Sequence, residues 1–170
     1  AALDGSIDVT QVFSTKRAFA ALRADGSVVT WGDGDYGGDS SAVAAALDGS
    51  IAVTQVFSTD GDFAALRADG SVVTWGPYSG VSSAVAAALD GTLDVTQVFS
   101  SRYAFAALRA DGSVVTWGAS WAGGDSSAVT AALNGSLDVT QVFSTDSAFA
   151  ALRADGSVVT WGNSSWGGNS

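Results

Sequence analysis

The stretch FAALRADGSVVTWG stands at Phe19–Gly32 and returns unaltered at Phe63–Gly76, Phe105–Gly118 and Phe149–Gly162. Within it Asp-Gly separates two apolar runs, a strong β-hairpin signal, because Gly accepts positive φ and Asp tolerates it. A type I′ turn is therefore expected at Asp25-Gly26 and its three equivalents. The flanking runs do not alternate apolar with polar residues. In AFAALRA (Ala18–Ala24) both parities are apolar, and SVVTW (Ser27–Trp31) puts Val28 on one side with Val29 and Trp31 on the other. Strands that read this way are covered on both faces. A sheet of fewer than about fifty residues cannot bury both faces alone, so neighbouring copies must supply the cover.

Working outward, VTQVFS precedes each copy, starting at Val9, Val53, Val95 and Val139, and its Val, Phe and Thr are strand formers. SSAVAAAL (Ser40–Leu47, Ser82–Leu89) and SSAVTAAL (Ser126–Leu133) link the copies. There Ser is an expected N-cap for one or two helical turns. The Trp-Gly pairs recur at spacings of 44, 42 and 44 residues, so the chain is one repeat domain, 1–170. Its repeats run over approximately 1–39, 40–81, 82–125 and 126–170. Each unit reads strand, strand, hairpin turn, strand, short helical connector, with small Ala residues that let sheets approach closely. Stacking such sheets around an axis gives a propeller; stacking them along a line gives a solenoid. The expected fold is all-β: a β-propeller of short three-stranded blades, four per chain, with an open β-solenoid-like stack as the alternative. Trp31, Trp75, Trp117 and Trp161 are the expected buried anchors, and Gly26, Gly70, Gly112 and Gly156 the turn residues.

Composition narrows the function. The 170 residues contain no Cys, His, Met or Glu, and all 17 acidic residues are Asp. Disulfides and thiolate metal sites are thereby excluded, and the commonest general base and zinc ligand is missing. A net charge of −10 disfavours nucleic acid and anionic lipid as partners. No run of about twenty apolar residues is present to span a membrane as a helix, and the first residues do not read as a secretory leader. An acidic, Lys-poor chain rich in Gly, Ser and Thr leans toward an extracellular or cell-surface location. No cofactor is expected.

The pattern AL-x-x-DG-x-V-x-x-WG, with its V-x-x-V strand upstream and a Gly-rich loop after Trp-Gly, resembles the regulator of chromosome condensation repeat. In unit size it is most similar to the compact repeats of beta-lactamase inhibitor protein II. The resemblance spans all four units and implies three-stranded propeller blades. Its functional implication is broad, since the family includes an exchange factor, enzyme inhibitors and adhesin-like repeats, and it usually closes seven blades where this chain has four.

The units differ chiefly in two places. After the FST or FSS step come Lys16-Arg17, Asp60-Gly61-Asp62, Arg102-Tyr103 and Asp146-Ser147; after Trp-Gly come Asp33–Gly38, Pro77–Val81, Ala119–Gly124 and Asn163–Gly168. The second set keeps aromatics while the rest changes. Exposed Tyr and Trp dominate interface hot spots and sugar-stacking platforms. Tyr36, Tyr78, Tyr103, Trp121 and Trp166 are therefore the candidate ligand-binding residues, with Lys16, Arg17, Arg102 and Asp60 as rim contacts; self-packing of the aromatics onto their own blade is the competing reading. Asp33, Asp35 and Asp39 lack the spacing of a calcium loop, and no metal site is assigned. Arg23, Arg67, Arg109 and Arg153 recur beside Asp25 and its equivalents, which points to structural ion pairs. Asn134–Ser136 and Asn163–Ser165 match the glycosylation acceptor pattern. Ser is abundant but lacks a His to activate it, and no Asp pair is singled out, so no catalytic residue is named.

The expected function is a non-enzymatic extracellular binding or adhesion module recognising a protein or glycan. The alternative is a structural or engineered self-assembling scaffold, suggested by the near-identity of the units. The opening AALDG matches Ala45–Gly49, and the closing GGNS parallels Gly37–Ser40. The two ends thus come from one connector, and a homodimer closing eight blades is expected over a larger open assembly or a piece excised from a longer array, and over a four-bladed monomer.

Overall fold

The computed structural model describes residues 3–80 and 83–169. Among them lie four antiparallel three-stranded sheets in sequential strand order, one per unit. The first holds β1 (Val9–Ser14), β2 (Ala18–Arg23) and β3 (Val28–Gly32), and the second β4 (Val53–Ser58), β5 (Phe63–Arg67) and β6 (Val72–Trp75). The third holds β7 (Val95–Ser100), β8 (Ala104–Arg109) and β9 (Val114–Gly118), and the fourth β10 (Val139–Ser144), β11 (Ala148–Arg153) and β12 (Val158–Gly162). The innermost strands β1, β4, β7 and β10 lie against one another in succession. This is the all-β propeller arrangement of short three-stranded blades. Matching sequences give matching registers: Phe19 pairs with Trp31 and Phe63 with Trp75, and the equivalent rings stack at 5.2–5.4 Å in every blade.

The core lies between blades rather than within them. One cluster joins Ala18, Ala20, Leu22 and Val28 of the first blade to Val53, Val56, Phe63 and Trp75 of the second. Two further clusters repeat this pairing between blades two and three and between three and four. Ala on one face leaves a shallow bed that the Phe and Trp of the next blade fill. Each Val, Leu or Phe so covered contributes about 1.5–3 kcal/mol. Trp75 Nε1 donates to the Gly37 carbonyl across the interface, and Trp161 Nε1 to Gly123, both at 3.0 Å.

Three expectations are corrected. The hairpin turns are not type I′, because every positive φ among the described residues belongs to Gly. Gly26 N donates to Arg23 O, and Arg23 N to Ser27 O, giving a three-residue loop with Gly26 as its left-handed bulge at φ 79°. Asp25 stays right-handed because its carboxylate accepts from Ser27 N (3.0 Å) and Ser27 Oγ (2.5 Å). Arg23 Nε donates to the same hydroxyl at 2.7 Å and its Nη2 lies 3.8 Å from Asp25, so this Arg is structural as expected. A Cβ on Gly26 would sit 2.5 Å from that of Ala52, so the next blade's approach also requires Gly.

The connectors are tighter than expected. Ser41–Ala46 and Ser127–Ala132 are 3₁₀ turns, and Ser83–Ala88 is a single short α-helix, α1. Ser40 and Ser126 do not cap; Asp39 and Asp125 accept from Ser41 N and Ser127 N at 2.9 Å. Ser40 is instead held by Thr30 Oγ1 at 2.8 Å, and Ser126 by Thr116 Oγ1 at 2.9 Å. The third correction concerns Trp31. It is 37% exposed where Trp75, Trp117 and Trp161 are buried, because no preceding blade covers it. The matching of the chain ends involves Ala1, Ala2 and Ser170, which lie outside the described residues. Among the described residues no helix is long and apolar enough to cross a membrane.

Candidate functional site

Both variable segments emerge at one end of each blade. The β1–β2 turn and the loop after β3 leave the sheet at the same edge, so their equivalents in all four blades form one rim. The invariant FST or FSS step ties them together. Thr15 Oγ1 donates to Tyr36 O at 2.8 Å, Ser101 Oγ to Ala122 O at 2.9 Å and Thr145 Oγ1 to Trp166 O at 3.0 Å. The loops after β3, β9 and β12 are short 3₁₀ turns, each closed by a Gly at positive φ: Gly37, Gly123 and Gly167. Asp33 and Asn163 cap their turns through Asp35 N and Ser165 N. Asp33 and Asp39 thus direct their carboxylates at backbone amides.

The second blade departs from this plan through Asp62, a residue not singled out above. It stands where the other units have Ala18, Ala104 and Ala148, and it is 1% exposed. Its Oδ1 accepts from Tyr78 N at 2.7 Å, and Thr59 Oγ1 donates to its Oδ2 at 3.2 Å. The Pro77–Gly80 segment, without the double Gly of its counterparts, is pinned by this carboxylate instead. Loss of water around Asp62 outweighs these hydrogen bonds and lifts its pKa to about 6. The signal was available in the sequence: one Asp in a register position that is otherwise Ala.

On the rim the structure brings six of the nine candidates around one concavity of about 470 Å³: Lys16, Arg17, Tyr36, Asp60, Tyr78 and Tyr103. Asp60 is its electrostatic centre, with Lys16 Nζ at 2.8 Å and Arg102 Nε at 2.5 Å. Partial burial works to raise the Asp60 carboxyl, but hydrogen bonds from Lys16, Arg102 and Tyr103 outweigh it and hold the group below the usual carboxylate range. The Arg17 guanidinium lies 4.9 Å over the Tyr36 ring and that of Arg102 5.2 Å over Tyr103. Tyr78, Tyr103 and Trp121 form a continuous row, with centroids 5.8 and 5.0 Å apart. Tyr78 and Trp121 are about half exposed, at 47% and 52%.

Two candidates are placed differently. Tyr36 packs against the first inter-blade cluster and offers only part of its ring to the concavity, so self-packing accounts for much of it. Trp166 occupies the register position of Tyr36 in the fourth blade. It does not join the row; it lies beside Phe143 over the uncovered side of that blade and is 51% exposed.

No protein-family model matches the sequence, and no curated protein is significantly similar to it. Solved structures do match in fold. Prp20p (yeast RCC1) from Saccharomyces cerevisiae is 18% identical, with a TM-score of 0.59, over 91% of this chain and 44% of that one. The ectodomain of the Physcomitrella patens receptor kinase CR4 is 14% identical at TM-score 0.56, covering 92% of this chain and 39% of its own. Human WBSCR16 is 20% identical at TM-score 0.55, over 92% and 48%. These likenesses establish the propeller fold that the sheets display. The chain spans roughly two fifths to one half of the length of these structures.

Proposed function

We propose that the chain is a non-enzymatic binding module whose rim recognises an extracellular protein or glycan, as an adhesin, a lectin-like surface or a protein-binding inhibitor. The observation that carries this reading is the Tyr78–Tyr103–Trp121 row beside the Asp60 concavity. The row offers flat apolar faces for a sugar ring or a partner's side chains, and Asp60, Lys16 and Arg17 offer directed hydrogen bonds at its edge. An invariant frame holds both while the residues on it vary. The acids speak against catalysis. Hydrogen bonds from Lys16, Arg102 and Tyr103 hold the Asp60 carboxyl below the usual carboxylate range, so it carries no proton to donate near neutral pH. Asp62, whose pKa is raised, is buried against Tyr78 N beyond a substrate's reach.

Glycan arrays and pull-downs comparing the parent with Tyr78→Ala and Trp121→Ala test the assignment. A hot-spot aromatic is worth 2 kcal/mol or more, so each variant loses about thirtyfold or more in affinity for a genuine partner. Unchanged binding in both variants, for every partner found, overturns it. A second reading, a scaffold that assembles with itself, is favoured by the two uncovered apolar flanks of the terminal blades.

A further inference from the structure

Each inter-blade interface joins two unlike faces. The leading face carries two Val, a Phe and a Trp; the trailing face carries Ala, Leu, Val and a second Phe. Three such junctions are made inside the chain, and one leading and one trailing face are left over. On the leading face of the first blade, Val12 is 56% and Phe19 44% exposed, whereas the equivalents Val56 and Phe63 are 4% and 0%. On the trailing face of the fourth blade, Val158 is 54% exposed against 8% for Val28. The trailing face also contains a socket of about 100 Å³ lined by Phe143, Thr145, Ala148, Ala150 and Trp166. Of the first blade's counterparts, Phe13, Ala18, Ala20 and Tyr36 share a cluster with Phe63, and of the third blade's, Phe99, Ala104, Ala106 and Ala122 share one with Phe149. A Cβ on Gly37 would touch Phe63 and one on Gly123 would touch Phe149, whereas one on Gly167 meets nothing. The fourth socket has no knob, and Phe19 is a knob without a socket.

The polar parts follow the same arithmetic. Val53 N, Val95 N and Val139 N donate to Gly26 O, Gly70 O and Gly112 O of the preceding blade, each at 2.9 Å, so the next pair in the series is Val9 N with Gly156 O. Along the rim Lys16 N, Asp60 N and Arg102 N each donate to the equivalent carbonyl of the following blade. Their side chains alternate in charge, Lys16, Asp60, Arg102, Asp146, and the series calls next for a cation, which is Lys16 again.

We propose that a second copy of this chain docks head to tail, the leading face of each copy covering the trailing face of the other, so that two copies close one ring of eight blades. The interface continues one the chain already makes three times. It seats Phe19 of the second copy in the Phe143–Trp166 socket, faces Trp31 toward Gly167 O and places Lys16 beside Asp146. Unlike faces pair heterologously, and two such junctions leave no flank bare. Two copies so joined carry the aromatic rim twice.

The inference rests on the scaffold reading and is independent of what the rim binds. Its test is the mass of the full chain by size exclusion with light scattering, for the parent, Val12→Asp and Val158→Asp. Both substituted positions are exposed in the single chain, so folding is retained, and near-ultraviolet circular dichroism confirms it. The parent is expected at twice 16.9 kDa, and each variant alone at 16.9 kDa. A parent of single-chain mass overturns both the junction and the scaffold reading. A dimer that survives either substitution keeps self-assembly but overturns head-to-tail pairing, and a parent larger than two chains overturns closure by two.

Discussion

Replacing Asp62 with Asn exposes how the second blade is held. Asp62 keeps its proton up to about pH 6 when folded, against 3.8 for an ordinary solvated Asp. Between these values the unfolded chain has lost a proton that the folded chain retains, so stability falls as pH rises through this window and stays lower above it. A gap of about two pKa units corresponds to about 3 kcal/mol at 1.36 kcal/mol per unit. Asn is nearly isosteric, never ionises, and its amide oxygen can still accept from Tyr78 N. Urea unfolding of parent and Asp62→Asn at pH 4, 5, 6 and 7, followed by Trp fluorescence, reads the difference directly. The other 16 carboxylates titrate in both proteins and cancel. The variant's advantage should be near zero at pH 4 and reach about 3 kcal/mol by pH 7. A difference that stays constant over this range, or that favours the parent as pH rises, refutes the buried-carboxylate account.

Two further substitutions follow from the asymmetry of the blades. Phe63→Ala removes a fully buried ring and should cost about 3–5 kcal/mol, whereas Phe19→Ala, at the same register position but half uncovered, should cost about half as much in urea titrations diluted to single-chain mass; equal losses would contradict the open flank. Trp161→Phe leaves the Gly123 carbonyl without its donor and should lose about 1–3 kcal/mol more than Trp117→Phe, whose indole N–H meets no acceptor among the described residues. Thermal unfolding that ranks them the other way contradicts that assignment.

The repeat made most of the architecture legible. Period, hairpin and doubly apolar strands together require that neighbouring sheets cover one another, and the clusters shared between blades meet that requirement. What the sequence hid were choices among local bonds. Asp25 was readable as a turn residue, but not that its carboxylate would take Ser27 and keep the backbone right-handed. Ser40 was readable as a cap, but Thr30 competes for its hydroxyl and Asp39 lies one residue nearer to the role. At the rim, Tyr78, Tyr103 and Trp121 were legible as loop aromatics, but not that they would stand in one row, since their loops belong to different blades. Trp166 stands apart from that row, because loop position alone does not say whether a ring faces the rim or lies over a flank. Asp62 was passed over as part of a varying turn; comparing register positions rather than loop composition shows that it replaces a buried Ala.

The central claim, that a blade is stable only through the neighbour covering it, is tested most directly by urea titration of an isolated 40–81 unit in dilute buffer, followed by circular dichroism and Trp75 fluorescence. The account predicts no cooperative transition and an indole already in water at zero denaturant. A sigmoidal transition whose midpoint does not depend on peptide concentration would contradict it.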